Sequence, residues 1–399
     1  MINLAFWFDA PYAYSGGLNY IANLLYALST VNSGEVRPYL FFATDVPESV
    51  LARFREHAII VRTKMLQRYT LQWLVHKLLY RFFNSAWFIN HFLKKHNINV
   101  ISHVWFPYYG RRGIKVIAWI PDFQYLHLPE MFPGLDVKKE SDLNRKIATC
   151  ADAVFVSSKS ALNDLLSITR GVSLPQVRVL PFVSQPFIAP QNRLPELPSL
   201  EIKYSFAGKF FLLPNQFWAH KNHQIVIEAL TLAKREGVLL RVLMTGNTVD
   251  YRLSGSPYIE SLYELIERND IRDCAIILGM IDYSDLLALM RNCVAVINPS
   301  KFEGWSSTVE EAKSMGKNII LSKIPVHIEQ APEFGAYFDC DDAVYLKDLM
   351  INSWNHHSPL RDAERYRVAQ NNIVKRTREF GSDYLELLKK VLVCDERAS

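Results

Sequence analysis

Through most of the 399-residue chain, short apolar runs alternate with segments whose apolar positions recur every three to four residues. Parallel strands joined by helical crossovers produce that alternation. In the first half, strands are expected in INLAFWF, RPYLFFA, NVISHVW, KVIAWI and AVFVSS. The intervening helices include one over Leu18 to Ser29, whose Leu18, Ile21, Leu25 and Leu28 form one stripe. A stretch from Leu174 to Ser205 is proline-rich and poor in periodic positions, as a domain connection should be. The alternation then restarts with FFLLP, the helix NHQIVIEALTLAKREG, LRVLMTG, a helix near 257 to 269, CAIILG, the helix YSDLLALMRN, VAVINPS and AYFD.

The expected fold class is therefore α/β, with two similar parallel-sheet halves. The boundaries read as 1–185 for the first domain, 186–205 for the linker, 206–375 for the second domain and 376–399 for a terminal helical piece. The tail from Arg361 to Val393 reads as helix, interrupted near Gly381, and is long enough to pack back across a domain boundary.

Composition supports two ordinary cores: 49% hydrophobic and 21% charged residues are globular values at a length beyond one usual core. The net charge of +5 is too small to argue for nucleic acid. Five scattered cysteines, Cys150, Cys274, Cys293, Cys340 and Cys394, suggest neither a disulfide framework nor a zinc site, and a reducing cytosol fits them. The amino terminus reaches Asp9 without a basic leader, so it reads as a core strand and not a signal peptide. No apolar run approaches the roughly 20 residues of a membrane-spanning helix. One segment differs from the rest: Lys64 to His96 is rich in Trp, Phe and Leu, carries Lys and Arg, and has no acid. It reads either as an amphipathic helix pair packed on the sheet or as a surface that meets an anionic membrane.

The chemistry concentrates in KFEGWSSTVEEAKSMGKNIILS, residues 301 to 322. It reads as a loop at the carboxyl end of a strand, then a helix, and ligands of open α/β sheets bind at that end. Ser307 and Glu310 have capping-box spacing, which gives Glu310 a local task and leaves Glu311 free. The amides of Gly304, Trp305, Ser306, Ser307 and Thr308, at the positive end of the helix dipole, would suit a phosphate. An ionised carboxylate beside them would instead accept from hydroxyl groups. Phosphate with vicinal hydroxyls describes a nucleotide sugar.

These residues resemble the donor-site signature of glycosyltransferase family 4, a retaining, nucleotide-sugar-dependent family with the GT-B fold. YSGGLNYIANLLYAL resembles its glycine loop and first helix, WIPDFQYLHLPEMF its acceptor-side segment, and LLPNQFWAHKNHQIVIEAL its basic donor-phosphate element. The resemblance implies two Rossmann-like doubly wound domains facing a cleft, with the last helix packing back on the amino-terminal domain. It implies that Glu311 holds the ribose hydroxyls, Glu303 a hydroxyl of the transferred sugar, and Lys221 the departing diphosphate. Asp122 joins Lys221 and Glu303 as catalytic. Gln216, His220, Gly16 and Gly17 fall on the donor side, and His127, Asp9 and Tyr14 on the acceptor side.

Taken singly, several of these have plainer readings: Lys221 as a solvated residue, His127 as a structural histidine, and Gly16 and Gly17 as a tight turn. Two positions depart from the family: Gln216 stands where arginine is usual, and Pro121 precedes Asp122 where histidine is common. Part of the positive clamp is thus absent or supplied by His220. Asp339 and Asp341 in FDCDD could be taken for metal ligands, but helix capping explains them.

The implied activity is metal-independent and cofactor-free transfer of a hexosyl residue, with retention, from a UDP-hexose or GDP-mannose to a saccharide acceptor. A lipid-linked acceptor in bacterial O-antigen or capsule assembly would place the chain in the cytoplasm, at the inner membrane face. A nucleotide-sugar epimerase and a noncatalytic saccharide- or partner-binding protein are the alternatives with the same fold.

Overall fold

The computed structural model describes residues 1–8, 15–83, 86–108, 113–185, 194–249 and 257–393. It divides into two compact units. The first comprises Met1–Phe123, Gly134–Val183 and the chain from Val374 onward, and the second Gln124–Pro133 and Ser184–Ile373.

The first unit is built on seven parallel strands: β1 (Ile2–Trp7), β2 (Val36–Ala43), β3 (Ile59–Thr63), β4 (Val100–Val104), β5 (Lys115–Ile120), β6 (Ala153–Val156) and β7 (Gln176–Val179). Their order is β3-β2-β1-β4-β5-β6-β7. The second unit has six: β8 (Phe211–Leu213), β9 (Val242–Thr245), β10 (Ala275–Gly279), β11 (Val296–Asn298), β12 (Ile319–Ser322) and β13 (Gly335–Phe338), in the order β10-β9-β8-β11-β12-β13. Both are Rossmann-like orders, each reversing direction once, between β1 and β4 and between β8 and β11.

Successive residues of the second sheet serve two cores. Phe211, Leu213, Val242, Met244, Ile297 and Ile320 face one layer of helices, while Leu212, Leu243, Val296, Ile319 and Leu321 face the other. A strand buried on both faces reads as an unbroken apolar run, which is why β8, β9 and β11 stand out in the sequence.

Several expectations are corrected. β3 and β7, the two edges of the first sheet, were not anticipated. The stretch 174–205 is not merely a connection, since it contains β7 and a helix, Leu197–Lys203. Gly16 and Gly17 lie inside the first turn of the helix Ser15–Ser29 instead of preceding it.

The terminal helix runs from Pro359 to Val393 without a break at Gly381. There the missing side chain serves contact: a Cβ on Gly381 would stand 2.3 Å from the Ala27 carbonyl oxygen. Beyond it, Tyr384 and Leu388 are fully buried in the first unit, and the Tyr384 hydroxyl donates to Ser102 Oγ at 2.9 Å. Among the described residues no helix is long and apolar enough to cross a membrane.

Candidate functional site

The expected donor-side residues of the second unit sit on the loops that follow β8 and β11. These are the neighbours between which the strand order reverses, so their carboxyl ends splay and leave a crevice. After β8 the chain makes one 3-10 turn, Ala219–Lys221, and Asn222 adopts a left-handed φ of 57° that aims it into the helix His223–Arg235. Asparagine tolerates that conformation better than most residues. The Lys301 amide donates to the His220 carbonyl at 2.8 Å, which ties the two loops together.

Within this frame Lys221 Nζ donates to both carboxylate oxygens of Glu303, 82 residues away, at 2.7 and 2.8 Å. The side chains are 13% and 9% exposed, so water screens the pair little. Burial by itself pushes the Glu303 carboxyl up, but the Lys221 charge and hydrogen bonds outweigh it and bring the pKa to about 2. Glu303 is therefore held ionised.

Glu311 is in the opposite state. It lies on the helix Ser307–Ser314, buried, with the Tyr283 hydroxyl donating to its Oε1 at 2.8 Å. Burial raises its pKa to about 7, against the pull of that hydrogen bond. The two glutamates differ in charge readiness because one faces an ammonium and the other a neutral phenol.

The helix start differs from the expected capping box. Ser306, not Ser307, is the cap, and its side chain accepts from the Val309 amide. Glu310 turns instead into the protein, where Lys313 and Gln330 both donate to its Oε1 at 3.1 Å. Gln330 also accepts from the Ser306 amide at 3.2 Å and donates to its carbonyl at 3.0 Å. Nor is Glu311 free, since Tyr283 holds it.

A buried polar network fixes both loops to the helix. Asn298 Oδ1 accepts from Asn215 at 2.9 Å and from Ser300 at 2.7 Å, and its Nδ2 donates to Ser306 Oγ at 2.8 Å. Thr308 turns its hydroxyl inward to Asn215, so only its amide remains for a ligand. Gln216, placed where a clamp cation was expected, accepts from the Asn247 amide at 2.7 Å and so braces the neighbouring loop. That loop passes very close: a Cβ on Gly246 would meet the Asn215 carbonyl oxygen at 2.3 Å.

His327 is in no motif of the sequence analysis. It is fully buried, its Nδ1 lies 2.9 Å from the Ser322 carbonyl, and its Nε2 finds no partner among the described residues. Burial lowers its pKa and keeps it neutral, while Glu303 pulls the other way.

His220 is buried, while Gly304 and Trp305 are half-buried on the loop before the helix. The His127 ring packs 5.2 Å from that of Phe302, the neighbour of Glu303. Asp122 is half-buried just past β5. Asp9 and Tyr14 lie outside the described residues. The FDCDD aspartates also differ from expectation: Asp342 caps the helix Ala343–Asn355, and Asp341 pairs with Lys301 at 3.5 Å.

Residues 207–351 match the family described as Glycosyl transferases group 1. Over 222 residues the chain is 25% identical to the serotype-specific mannosyltransferase WbdA of Escherichia coli, which covers 55% of this chain and 27% of that protein. The chain thus spans about a quarter of the length of the curated relatives it matches. In fold it is similar to HepE of Anabaena in complex with UDP and glucose (TM-score 0.68, 14% identity, 98% and 100% of the two chains covered). It is also similar to a glycosyltransferase from Rickettsia africae (TM-score 0.67, 15% identity, 98% of each chain).

Proposed function

We propose, starting from the Glycosyl transferases group 1 domain that residues 207–351 form, that this protein is a retaining glycosyltransferase of surface-polysaccharide assembly. It moves a hexosyl residue from a UDP-hexose or GDP-mannose to a hydroxyl of a saccharide acceptor. The observation that carries the reading is the meeting of Lys221, Glu303 and a capped helix start at the strand-order reversal of one sheet.

In this reading Glu311, steadied by Tyr283, accepts from the ribose hydroxyls, and the amides of Gly304 to Thr308 take the diphosphate. Lys221 supplies positive charge where the leaving group gains negative charge, which is where a preorganised cation lowers a barrier most. Donor entry moves its ammonium from Glu303 toward phosphate, and Glu303 is released to accept from a sugar hydroxyl. The acceptor oxygen forms a bond to the anomeric carbon on the face from which the nucleotide leaves. The bonding pair of the broken C–O bond goes to the phosphate oxygen, which also receives the acceptor proton. Configuration is retained, and lysine and helix amides take the part a metal plays elsewhere.

The WbdA likeness favours a mannosyl or related hexosyl donor. The proposed acceptor is lipid-linked and presented at the cytoplasmic face of the membrane. The test is a thermal-shift screen against UDP, GDP, ADP and dTDP with and without Mg²⁺, since a ligand of the native state raises stability by mass action. One nucleotide should raise Tm without metal, and Glu311→Ala should abolish the shift. Product analysis with acceptor should then give a retained linkage. Donor turnover without acceptor, or unaltered in Lys221→Ala and Glu303→Ala, overturns the proposal.

A further inference from the structure

The helix Leu71–Phe83 wears its amphipathic pattern the wrong way round. Leu71, Leu74, Val75, Leu78 and Phe82 form one stripe at helical spacing, and all five are exposed. The opposite face, which carries the buried His76, is anchored through the Tyr80 hydroxyl, which donates to the Pro107 carbonyl at 2.8 Å. Tyr69 is 91% exposed, Leu71 76%, Phe82 72% and Phe83 73%, and Trp87 lies open on the next helix, Trp87–Lys95. A contiguous apolar surface of this kind marks an interaction site.

Charge decides the partner. Between Glu56 and Asp122 the chain runs 65 residues with ten lysines and arginines and no acid, where its average of 40 acids in 399 would place about six. Beside the stripe, Arg68, Tyr69, Trp73, Lys77 and Trp105 line a groove of about 260 Å³, two cations among three aromatic rings. Aromatic and aliphatic side chains that enter the acyl boundary, ringed by cations that meet lipid phosphates, are the chemistry of an interfacial helix on an anionic bilayer.

We infer that the outward face of the helix Leu71–Phe83, with the groove at Arg68 and Lys77, docks this unit on a bilayer containing anionic phospholipid. The inference deepens the glycosyltransferase reading and rests on it only for the claim that the acceptor lies in the same membrane. Phe82 and Leu78 enter the lipid, while Arg81 and Lys77 stay at headgroup level. The groove takes a lipid phosphate.

The experiment is co-sedimentation of the full chain with vesicles of phosphatidylcholine alone and with 30 mol% phosphatidylglycerol, as about a third of the lipid. Binding should require the anionic lipid and weaken about fivefold for each cation removed in Lys77→Gln and Arg81→Gln. Leu78→Ser with Phe82→Ser should cut it at least about tenfold, with Tm and nucleotide shift unchanged. Wild-type protein that ignores anionic vesicles, or variants that bind as wild type does, overturn the inference. So does a dimer that the variants dissociate, because the face would then join two copies. Vesicle binding without any nucleotide shift leaves the docking standing and fails the enzymatic reading; the converse fails only the docking.

Discussion

Lys221 Nζ bonds both carboxylate oxygens of Glu303, at 2.7 and 2.8 Å, between the loops that follow β8 and β11. Each charge is neutralised by the other where little water reaches it. Removing only one of them strands the other.

Lys221→Met should cost stability on the order of 3 kcal/mol, because it leaves a carboxylate buried without its cation. Lys221→Met combined with Glu303→Leu should recover most of that loss in urea unfolding, although neither protein would transfer sugar. The sign with pH is set by the depressed Glu303 value of about 2 against an ordinary 4.5. Its stabilisation is whole above about 4.5 and disappears as pH falls through about 2. A wild-type acid-unfolding curve that coincides with that of the double variant would contradict this.

Glu311 should impose two opposite pH trends. With its pKa near 7, the ionised fraction rises about tenfold from pH 6 to pH 8, so nucleotide affinity measured by calorimetry should rise by about that factor. Protein stability should meanwhile fall as pH rises from 4.5 through 7, since the raised value means that ionisation is disfavoured in the fold. Glu311→Gln should flatten both trends. Tyr283→Phe should move the affinity midpoint upward, because the lost hydrogen bond favours the charged form.

Asn298→Ala should destabilise the second unit by about 2–3 kcal/mol, since it leaves Asn215, Ser300 and Ser306 short of partners in a buried network. Nucleotide binding should weaken with it, as Ser306 caps the helix whose amides are proposed to take the diphosphate. Unchanged affinity in a folded Asn298→Ala protein would mean that the loops hold their place without the network.

Gly381→Ala tests the terminal helix. Helix propensity alone predicts a gain of about 1 kcal/mol in a helix interior. The new Cβ would instead meet the Ala27 carbonyl at 2.3 Å, and packed backbone cannot yield cheaply. A net loss in Tm is expected, and a gain would show that the contact is slack.

How much of this was legible depended on burial. The second sheet is covered on both sides, and its strands stood out as apolar runs. The edge strands IIVRT and QVRV mix polar and apolar positions, because one side of each lacks a neighbour, and so they passed as loop. At 306 and 307 two serines compete for one cap, and three residues after Ser307 comes a glutamate that fits the box spacing. The winner is Ser306 because its backbone is extended, with φ −83° and ψ 115°, which no spacing rule can tell. Lys221 and Glu303 were found because motifs mark their loops. Tyr283 and Gln330 carry no local signal, since each acts on residues 20 or more positions away in the chain.

The last helix has a consequence for the order in which the protein matures. Tyr384 and Leu388 complete the core of a unit that begins at residue 1. During synthesis the second unit has all its residues once Ile373 leaves the ribosome, while the first still lacks a wall. The half made first is finished last.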